Sequence, residues 1–309
     1  MKLISYNKNG KVHTGALENE MVYPLHELNA QIADNMKDLL QDCGNQLLLA
    51  KNTIENTKPT ISVRDVELIC PVPNPPSVRD AYAFRQHVAT ARKNRGLDMI
   101  PEFDEIPIFY FTNHNAVFGP GNFPVLKQHT EKLDFELECA AVIGKRGRNI
   151  SSDEADDYIA GFMIMNDFSA RALQMQEMKL NLGPAKGKDF GSSFGPYLVT
   201  KDELEPYKQT SSEGDRYDLQ MRAFVNDIQV SEDNLSNMTW SFAQIIERIS
   251  YGVDIFPGDI IGSGTCGTGC FLELNGSKIT DNQWLNPGDI ITLEIEALGT
   301  LTNTIVLNG

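Results

Sequence analysis

Three carboxylates alternate with apolar residues in the segment Leu133–Cys139, which reads LDFELEC. Successive side chains of a β-strand point to opposite faces, so Asp134, Glu136 and Glu138 are expected on one face and the apolar residues in a core. Carboxylates this close repel one another and need either bulk water or a cation between them. The segment alone therefore leaves two interpretations open, a solvated surface strand and a metal site.

A second acidic position ends the apolar segment Met163–Asn166. The pattern predicts a buried strand that ends at Asp167 and a helix that starts at Phe168. Helical spacing would then place Asp167, Arg171 and Gln174 on one face. Taken alone, this arrangement is typical of an aspartate that caps a helix and pairs with an arginine one turn later.

A third segment, RDAYAFRQH at residues 79–87, supplies Asp80, Tyr82 and His87 within eight residues. It offers a carboxylate, a phenol and an imidazole, which can bind a cation, contact a substrate and transfer a proton. A single histidine is more often structural than catalytic, so this segment gains weight only with the other two.

Composition and charge restrict the classes of partner. The chain has 309 residues, 41% of them hydrophobic, and a formal net charge of −15. Such an acidic surface repels phosphate backbones, so no nucleic-acid partner is expected. No apolar segment approaches the ~20 residues that cross a bilayer, and the polar N-terminus lacks the features of a signal peptide. We therefore expect no membrane association.

The five cysteines are odd in number and scattered, which favours free thiols in a reducing, cytoplasmic compartment. Cys266 and Cys270 are the only close pair. They lack further cysteine or histidine neighbours of the kind that zinc sites use, so we interpret both as packing residues.

Secondary-structure patterns predict two domains, residues 1–65 and 66–309, and a proline-rich, extended connector at residues 71–76 follows the boundary. The first has short strands around the turn Asn9-Gly10 and a helical stretch over residues 28–57, which Gly44 is expected to break. The second is strand-rich and has no regular alternation of strands and helices. This predicts an α+β fold rather than a doubly wound parallel sheet.

Five motifs together resemble the fumarylacetoacetate hydrolase family over about residues 70–300. In chain order they are Asp80-x-Tyr82-x4-His87, Glu136-x-Glu138, Asn166-Asp167-x-Ser169-x-Arg171-x2-Gln174, Gly187-Lys188-x-Phe190, and Pro257-Gly258-Asp259-Ile260-Ile261-x-Ser263-Gly264-Thr265. The resemblance implies a small N-terminal α/β domain followed by a mixed, highly curved β-sandwich or β-roll catalytic domain. It also implies a homodimer.

The resemblance assigns roles to particular side chains. Asp80, Glu136, Glu138 and Asp167 would hold Mg²⁺, or Mn²⁺ or Ca²⁺, because an all-oxygen set suits hard cations. The catalytic groups would be His87 and Glu273, which activate water, and Arg171, Gln174 and Lys188, which lie near the developing oxyanion. Substrate contacts would come from Tyr82, Tyr110 and Thr265.

The activity that the resemblance implies is hydrolysis of a carbon–carbon bond in an acylpyruvate or other small anionic diketo acid, a reaction of aromatic catabolism. This chemistry needs an activated water, oxyanion donors and a Lewis acid, and the motifs offer a candidate for each. Two alternatives stay open. One is decarboxylation, isomerisation or hydration of a related oxo acid on the same fold, and the other is a cation that only ties strands together.

Two local features complete the sequence-based expectations. Residues 88–105 contain a short basic run and Gly96, which predicts either a solvated helix face or a lid hinged at Gly96. After Thr265 the chain reads CGTGC, where many short relatives have Pro-x-Gly-Val. Because this loop helps to shape the substrate pocket in the family, the identity of the substrate tail stays open.

Overall fold

The computed structural model describes residues 1–308, which form a strand-rich α+β structure. Its helices are short, apart from the fourteen-residue α3. The α-helices are α1 (Leu25–Leu28), α2 (Met36–Gln41), α3 (Cys43–Asn56), α4 (Arg85–Lys93), α5 (Ser152–Ala155), α6 (Arg171–Glu177), α7 (Phe242–Ser250) and α8 (Phe271–Gly276).

The strands are numbered in chain order. The first half of the chain contains β1 (Lys2–Lys8), β2 (Lys11–Glu18), β3 (Met21–Pro24), β4 (Ile61–Ser62), β5 (Glu67–Leu68), β6 (Val78–Ala81), β7 (Phe109–Thr112), β8 (Val117–Phe118), β9 (Gly121–Val125), β10 (Leu133–Asp134), β11 (Leu137–Ile143) and β12 (Gly147–Arg148). The second half contains β13 (Ile159–Asn166), β14 (Ser169–Ala170), β15 (Ser192–Thr200), β16 (Lys208–Gln209), β17 (Arg216–Tyr217), β18 (Gln220–Val225), β19 (Ile228–Asn234), β20 (Asp254–Ile255), β21 (Ile260–Gly262), β22 (Ile290–Ile295) and β23 (Gly299–Leu307).

Two large sheets dominate the fold, which confirms the predicted fold class. One has twelve strands, ordered β4-β3-β2-β1-β15-β13-β11-β21-β6-β7, with β5 beside β1 and β8 beside β15. The other has five strands, ordered β19-β18-β22-β23-β9. Most pairs are antiparallel, while β21 with β6, β8 with β15 and β9 with β23 are parallel. Both sheets are therefore of the mixed kind that the sequence predicts.

Strand β11 lies in the middle of the large sheet and is buried on both faces. Leu137 and Cys139 pack into the core shared with the five-stranded sheet and α7, whereas Ala140 and Val142 pack against the N-terminal helices. Glu138 lies on this second face, so the carboxylates do not line a solvated surface strand. The single strand predicted over Leu133–Cys139 is instead interrupted between β10 and β11.

The N-terminal strands continue the main sheet, because β1 pairs with β15 through Lys2 and Leu3. Residues 1–65 therefore have no sheet of their own, and a domain boundary at residue 65 stays a prediction about independent folding. The helical stretch predicted over residues 28–57 is wrong for residues 29–35, which lie between α1 and α2. It is then interrupted at Asp42 and not at Gly44, which lies inside the first turn of α3. The Asn9-Gly10 turn forms as predicted, with positive φ at both residues.

The sequence Pro-Gly-Asp-Ile-Ile occurs twice, at residues 257–261 and 287–291, and the two copies give a matched pair of stability predictions. Asp259, in the first, is buried and accepts hydrogen bonds from Ser77 (2.6 Å) and the Phe256 amide (2.8 Å), and it pairs with the buried Arg79 (3.3 Å). Asp259→Ala should therefore lower the free energy of unfolding by about 3–5 kcal/mol, because it leaves a buried guanidinium unpaired. Urea denaturation measures this.

Asp289, at the same place in the second copy, is the control. It is partly exposed, and its side chain bonds only to Asn226 (2.8 Å) and the Asn286 amide (2.7 Å). Asp289→Ala should cost about 1 kcal/mol. Equal losses in the two variants would contradict the role assigned to the Arg79 pair.

Candidate active site

Four carboxylates converge at one end of the central strands. Asp80 comes from β6, Glu138 from β11, Glu136 from the β10–β11 connection, and Asp167 follows β13. One carboxylate oxygen from each lies within 4.8 Å of the others. Gly262 of β21 lies between β6 and β11, where a Cβ atom would be 2.5 Å from an Asp80 oxygen. A glycine there leaves room for the carboxylates.

Burial makes this cluster electrostatically costly. Glu138 and Asp167 have no exposed surface, and neither oxygen of Glu138 accepts a hydrogen bond from an amide, hydroxyl or cationic group. Burial and repulsion from Asp80, Glu136 and Asp167 raise the pKa of Glu138 well above its ordinary value. Burial and repulsion from Asp167 likewise raise the pKa of Asp80 to about 8. The two groups thus lack a cationic partner of their own.

The other two carboxylates are compensated by Lys188. Its ammonium group lies 2.5 Å from Glu136 and 2.6 Å from Asp167, and Tyr110 also donates to Asp167 (2.5 Å). Although burial opposes it, pairing with Lys188 and Arg171 lowers the pKa of Glu136 to about 2.

One buried lysine therefore pairs with two of the four carboxylates. The unpartnered oxygens of Glu138 fit a hard divalent cation beside Asp80. All four donors are oxygens, the ligand type that such cations prefer.

A histidine–glutamate pair borders this cluster. His87 lies on α4 and Glu273 on α8, and the His87 Nδ1 atom is 2.5 Å from a carboxylate oxygen of Glu273. Both side chains are buried. Tyr82 packs edge-on against the His87 ring, with 5.7 Å between ring centroids. A carboxylate on Nδ1 orients the imidazole and leaves Nε2 as the nitrogen that can exchange a proton with a substrate.

Arg171 is placed differently from the sequence-based expectation. Helix α6 starts at Arg171, so Asp167 does not share a helical face with Arg171 and Gln174. The chain stays extended after Asp167 because β14 pairs with β10. Arg171 instead binds Asp134 (2.8 Å), Glu136 (2.7 Å) and Gln174 (3.0 Å).

Asp134 has a supporting role that the sequence did not reveal. Besides pairing with Arg171, it accepts hydrogen bonds from the backbone amides of Phe271 (2.7 Å) and Leu272 (3.0 Å). It thereby fixes the start of α8, the helix that carries Glu273. The alternating carboxylates were the available signal, but they do not distinguish a metal ligand from an anchor for a helix.

Three residues that the sequence assigns to substrate contacts also lie at or near this site. Tyr110 donates to a candidate metal ligand, and Thr265 is buried with its hydroxyl 3.4 Å from the Leu137 carbonyl. Burial and Glu136 raise the pKa of Tyr82 to about 12, against the opposing charge of Arg95. Their contacts with a substrate stay predictions.

The predicted lid is held by several bonds in this conformation. Asn94 bonds to Ser277 just after α8 (3.2 Å), Arg85 pairs with Asp104 (2.9 Å), and Trp240 donates to the Phe103 carbonyl (2.9 Å). Gly96 has a φ of +71°, a left-handed conformation that favours glycine. Movement of residues 88–105 stays a prediction.

Glu177 positions the segment that leads into Lys188, and sequence analysis missed it. Its carboxylate accepts hydrogen bonds from three consecutive backbone amides, Ala185 (2.9 Å), Lys186 (2.7 Å) and Gly187 (3.1 Å). These bonds lower the pKa of Glu177 although partial burial opposes them.

Glu177→Ala should lower kcat roughly 10- to 100-fold, because small displacements of positioned groups are costly. Steady-state kinetics would measure it.

Two variants separate positioning by Glu177 from a general loss of structure. Glu177→Gln keeps one acceptor oxygen and should recover part of the activity, while the exposed neighbour Gln176 can be changed to alanine as a control. Equal activity of Glu177→Ala and the control, at unchanged thermal stability, would contradict the assignment.

Residues 77–306 match the family described as Fumarylacetoacetate (FAA) hydrolase C-terminal. The chain belongs to the fumarylacetoacetate hydrolase family. A fumarylacetoacetate hydrolase from Exiguobacterium antarcticum shares its fold over the full length of both chains, with a TM-score of 0.73 and 21% identity. No helix in residues 1–308 is long and apolar enough to cross a membrane.

Relatives within the fumarylacetoacetate hydrolase family differ in their named reactions. The oxaloacetate tautomerase YisK of Bacillus subtilis is 32% identical over 251 residues, which cover 79% of this chain and 74% of YisK. The human mitochondrial oxaloacetate tautomerase FAHD2A is 28% identical over 286 residues, which cover 92% and 84%. The hydrolase expectation therefore needs a direct test, and so does the cytoplasmic one.

Proposed function

We propose that this protein is a metal-dependent tautomerase of small 2-oxo dicarboxylates, with oxaloacetate as the first substrate to test. The observation that carries the proposal is the His87–Glu273 pair beside the four-carboxylate cluster. Interconversion of keto and enol forms is accelerated by a group that exchanges a proton with carbon and by a cation that stabilises the enolate. The site offers a candidate for each.

Asp80, Glu136, Glu138 and Asp167 would hold the cation, with Mg²⁺ or Mn²⁺ favoured by the oxygen donors. When bound, such an ion supplies Lewis acidity to the oxygen at the 2-position of the substrate.

His87 would hold the proton that moves between the substrate carbon and its oxygen. Glu273 would stabilise the imidazolium that forms, because its carboxylate is buried and already bonded to Nδ1.

The engagement of Arg171 favours tautomerisation over hydrolysis. Hydrolysis passes through a tetrahedral oxyanion, which needs free donors at the reacting carbon. Arg171 is buried, and three of its five N–H groups already bind Asp134, Glu136 and Gln174, so most of its donors are engaged within the protein. Lys188 is likewise paired with two carboxylates. YisK and human FAHD2A, which are named oxaloacetate tautomerases, agree with this preference, whereas the structure from Exiguobacterium antarcticum is named a hydrolase.

Hydrolysis of an acylpyruvate is the second candidate. The same His87–Glu273 pair favours it, since a histidine oriented by a carboxylate is also the group that activates a water molecule. Decarboxylation of oxaloacetate is a third outcome of the same test.

Product analysis distinguishes the three reactions. Purified protein with Mg²⁺ would be mixed with freshly dissolved enol-oxaloacetate or with acylpyruvates, and the products would be followed by proton NMR. Tautomerisation predicts faster keto formation with no new compound. Pyruvate and CO₂ from oxaloacetate would indicate decarboxylation, whereas pyruvate plus a carboxylic acid from an acylpyruvate would indicate hydrolysis.

The tautomerase proposal fails if enol decay matches the rate without protein. In each assay, the His87→Ala variant is measured beside the wild-type protein.

A further inference from the structure

A second group of metal-ligand atoms adjoins the carboxylate cluster. A ring nitrogen of His87, a carboxylate oxygen of Glu136 and the thiol sulfur of Cys270 lie within 4.8 Å of one another, and all three residues are buried. Nitrogen and sulfur donors favour borderline-soft cations such as Zn²⁺, Co²⁺ and Cd²⁺, whereas the four carboxylates favour hard ones. The two groups share Glu136 but differ in the metal that they prefer.

The histidine is already oriented as a metal ligand. Its Nδ1 atom is bonded to Glu273 at 2.5 Å, which leaves Nε2 for ligation. A carboxylate on the other ring nitrogen is the usual support of a metal-binding histidine. Glu136 has lone pairs beyond those used by Lys188 and Arg171, so it can contribute an oxygen while these ion pairs persist.

The local charge also permits a second cation. Six carboxylates surround the site, and two cationic side chains, Arg171 and Lys188, compensate part of their charge. The six are Asp80, Asp134, Glu136, Glu138, Asp167 and Glu273. One divalent ion among the four clustered carboxylates still leaves negative charge in excess, so a second divalent ion is not repelled by the site as a whole.

We propose that His87, Glu136 and Cys270 form an inhibitory site for Zn²⁺ or a similar cation. Binding would replace the Cys270 thiol proton, which leaves to solvent, by a metal–sulfur bond. Three protein ligands and one water would complete a four-coordinate ion. The bound ion occupies His87 Nε2 and thereby removes the group that exchanges the proton with substrate. The inhibition rests on the proposed function, whereas the binding does not.

Cobalt provides a direct spectroscopic probe of the site. Protein saturated with Mg²⁺ would be titrated with Co²⁺, and the expected result is a strong near-ultraviolet thiolate-to-cobalt absorption band at one equivalent. Cys270→Ala should abolish the band. Cys266→Ala is the matched control, because Cys266 is equally buried, four residues away, and outside the cluster.

Two results would overturn the site. One is the absence of a thiolate band in the Mg²⁺-saturated wild type, and the other is a band that persists in Cys270→Ala. If the alanine variant does not fold, Cys270→Ser serves instead, since its hydroxyl gives no such band.

Inhibition is tested in parallel, with each variant's rate compared with its own rate without zinc. Zn²⁺ at constant excess Mg²⁺ should inhibit the wild type and Cys266→Ala. Cys270→Ala has lost one ligand, so its inhibition should need about 10-fold more Zn²⁺. If the cobalt thiolate band appears but Zn²⁺ does not inhibit, the inhibitory role is refuted while the metal site itself is supported. If the protein has no activity to inhibit, the cobalt spectrum alone still decides whether the site exists.

Discussion

Replacing His87 with alanine is expected to lower kcat by about 10²–10⁴-fold, the usual contribution of a general acid–base residue. The reason is geometric: His87 is buried beside Glu136, and Glu273 holds its Nδ1 atom at 2.5 Å. Steady-state kinetics with enol-oxaloacetate would measure the loss. Binding of Mn²⁺, measured by calorimetry, should be unaffected because His87 is not among the four proposed ligands.

Two comparisons strengthen the His87 prediction. Glu273→Gln should lower kcat less than His87→Ala, because the amide can still accept a hydrogen bond from Nδ1 but does not stabilise a charged imidazole. His114 is exposed in a turn, and His114→Ala should leave kcat unchanged. An activity in His87→Ala within 10-fold of wild type, with Mn²⁺ bound, would exclude His87 as the group that exchanges the proton.

Replacing Glu138 with glutamine is expected to abolish activity and lower Mg²⁺ affinity by at least about 100-fold. The same change should stabilise the metal-free protein. No amide, hydroxyl or cationic group donates a hydrogen bond to Glu138, and burial with repulsion from Asp80 raises its pKa well above the ordinary value. Glutamine has nearly the same shape and removes one of the mutually repelling charges.

The effect of Glu138 on stability has a defined pH dependence. The pKa of Glu138 is higher in the folded protein than in the unfolded chain. At a pH above the ordinary carboxyl pKa, the native metal-free protein therefore binds more protons than the unfolded chain. Its contribution to stability is therefore present at low pH and is lost as pH rises, at up to about 1.4 kcal/mol per pH unit for each proton. Asp80, with a pKa of about 8, should act in the same direction.

Urea denaturation between pH 6 and pH 9, with EDTA or with Mg²⁺, measures both effects. Wild-type protein in EDTA should lose stability with rising pH, and Mg²⁺ should restore it. Glu138→Gln should show a flatter profile and no response to Mg²⁺, while Glu131→Gln, a change at an exposed glutamate, should behave as wild type. Stabilisation of Glu138→Gln by Mg²⁺ to the wild-type extent would contradict the proposed ligand set.

Parts of the carboxylate cluster could be predicted from local patterns, whereas the complete set of four was expected only through the family resemblance. Alternation along Leu133–Cys139 gives the shared face of Glu136 and Glu138, and the strand before Asp167 is continuous and apolar. The fold class was predicted from the same strand-rich sequence pattern. These features depend on residues close together in the chain, which is the information that periodicity carries.

Partners far apart in sequence could not be derived from spacing. His87 and Glu273 are 186 residues apart, and their pairing was expected only through the family resemblance. The bonds from Asp134 to the start of α8 span 137 and 138 residues, and no local pattern indicates them. Such contacts are set by the order of strands in the sheet, which the sequence patterns left undetermined.

Helix boundaries were the least accurate local predictions. Ser151, with Glu154 three residues later, has the sequence signature of a capping box and predicts a helix through Ile159, but α5 covers only Ser152–Ala155 and the Ser151 side chain makes no capping bond. A turn of 3₁₀-helix and then β13 follow. Burial of β13 in the central sheet outweighs the preference of this polar segment for a longer helix.

The homodimer also stays a prediction, which light scattering of the purified protein would test. The most direct test of the account is the decay of enol-oxaloacetate absorbance, followed while Mn²⁺ is titrated into EDTA-stripped protein. The account predicts the spontaneous rate without metal and a saturable acceleration that is complete at one equivalent of metal per chain. Full acceleration in stripped protein, or none at any metal concentration, would contradict it.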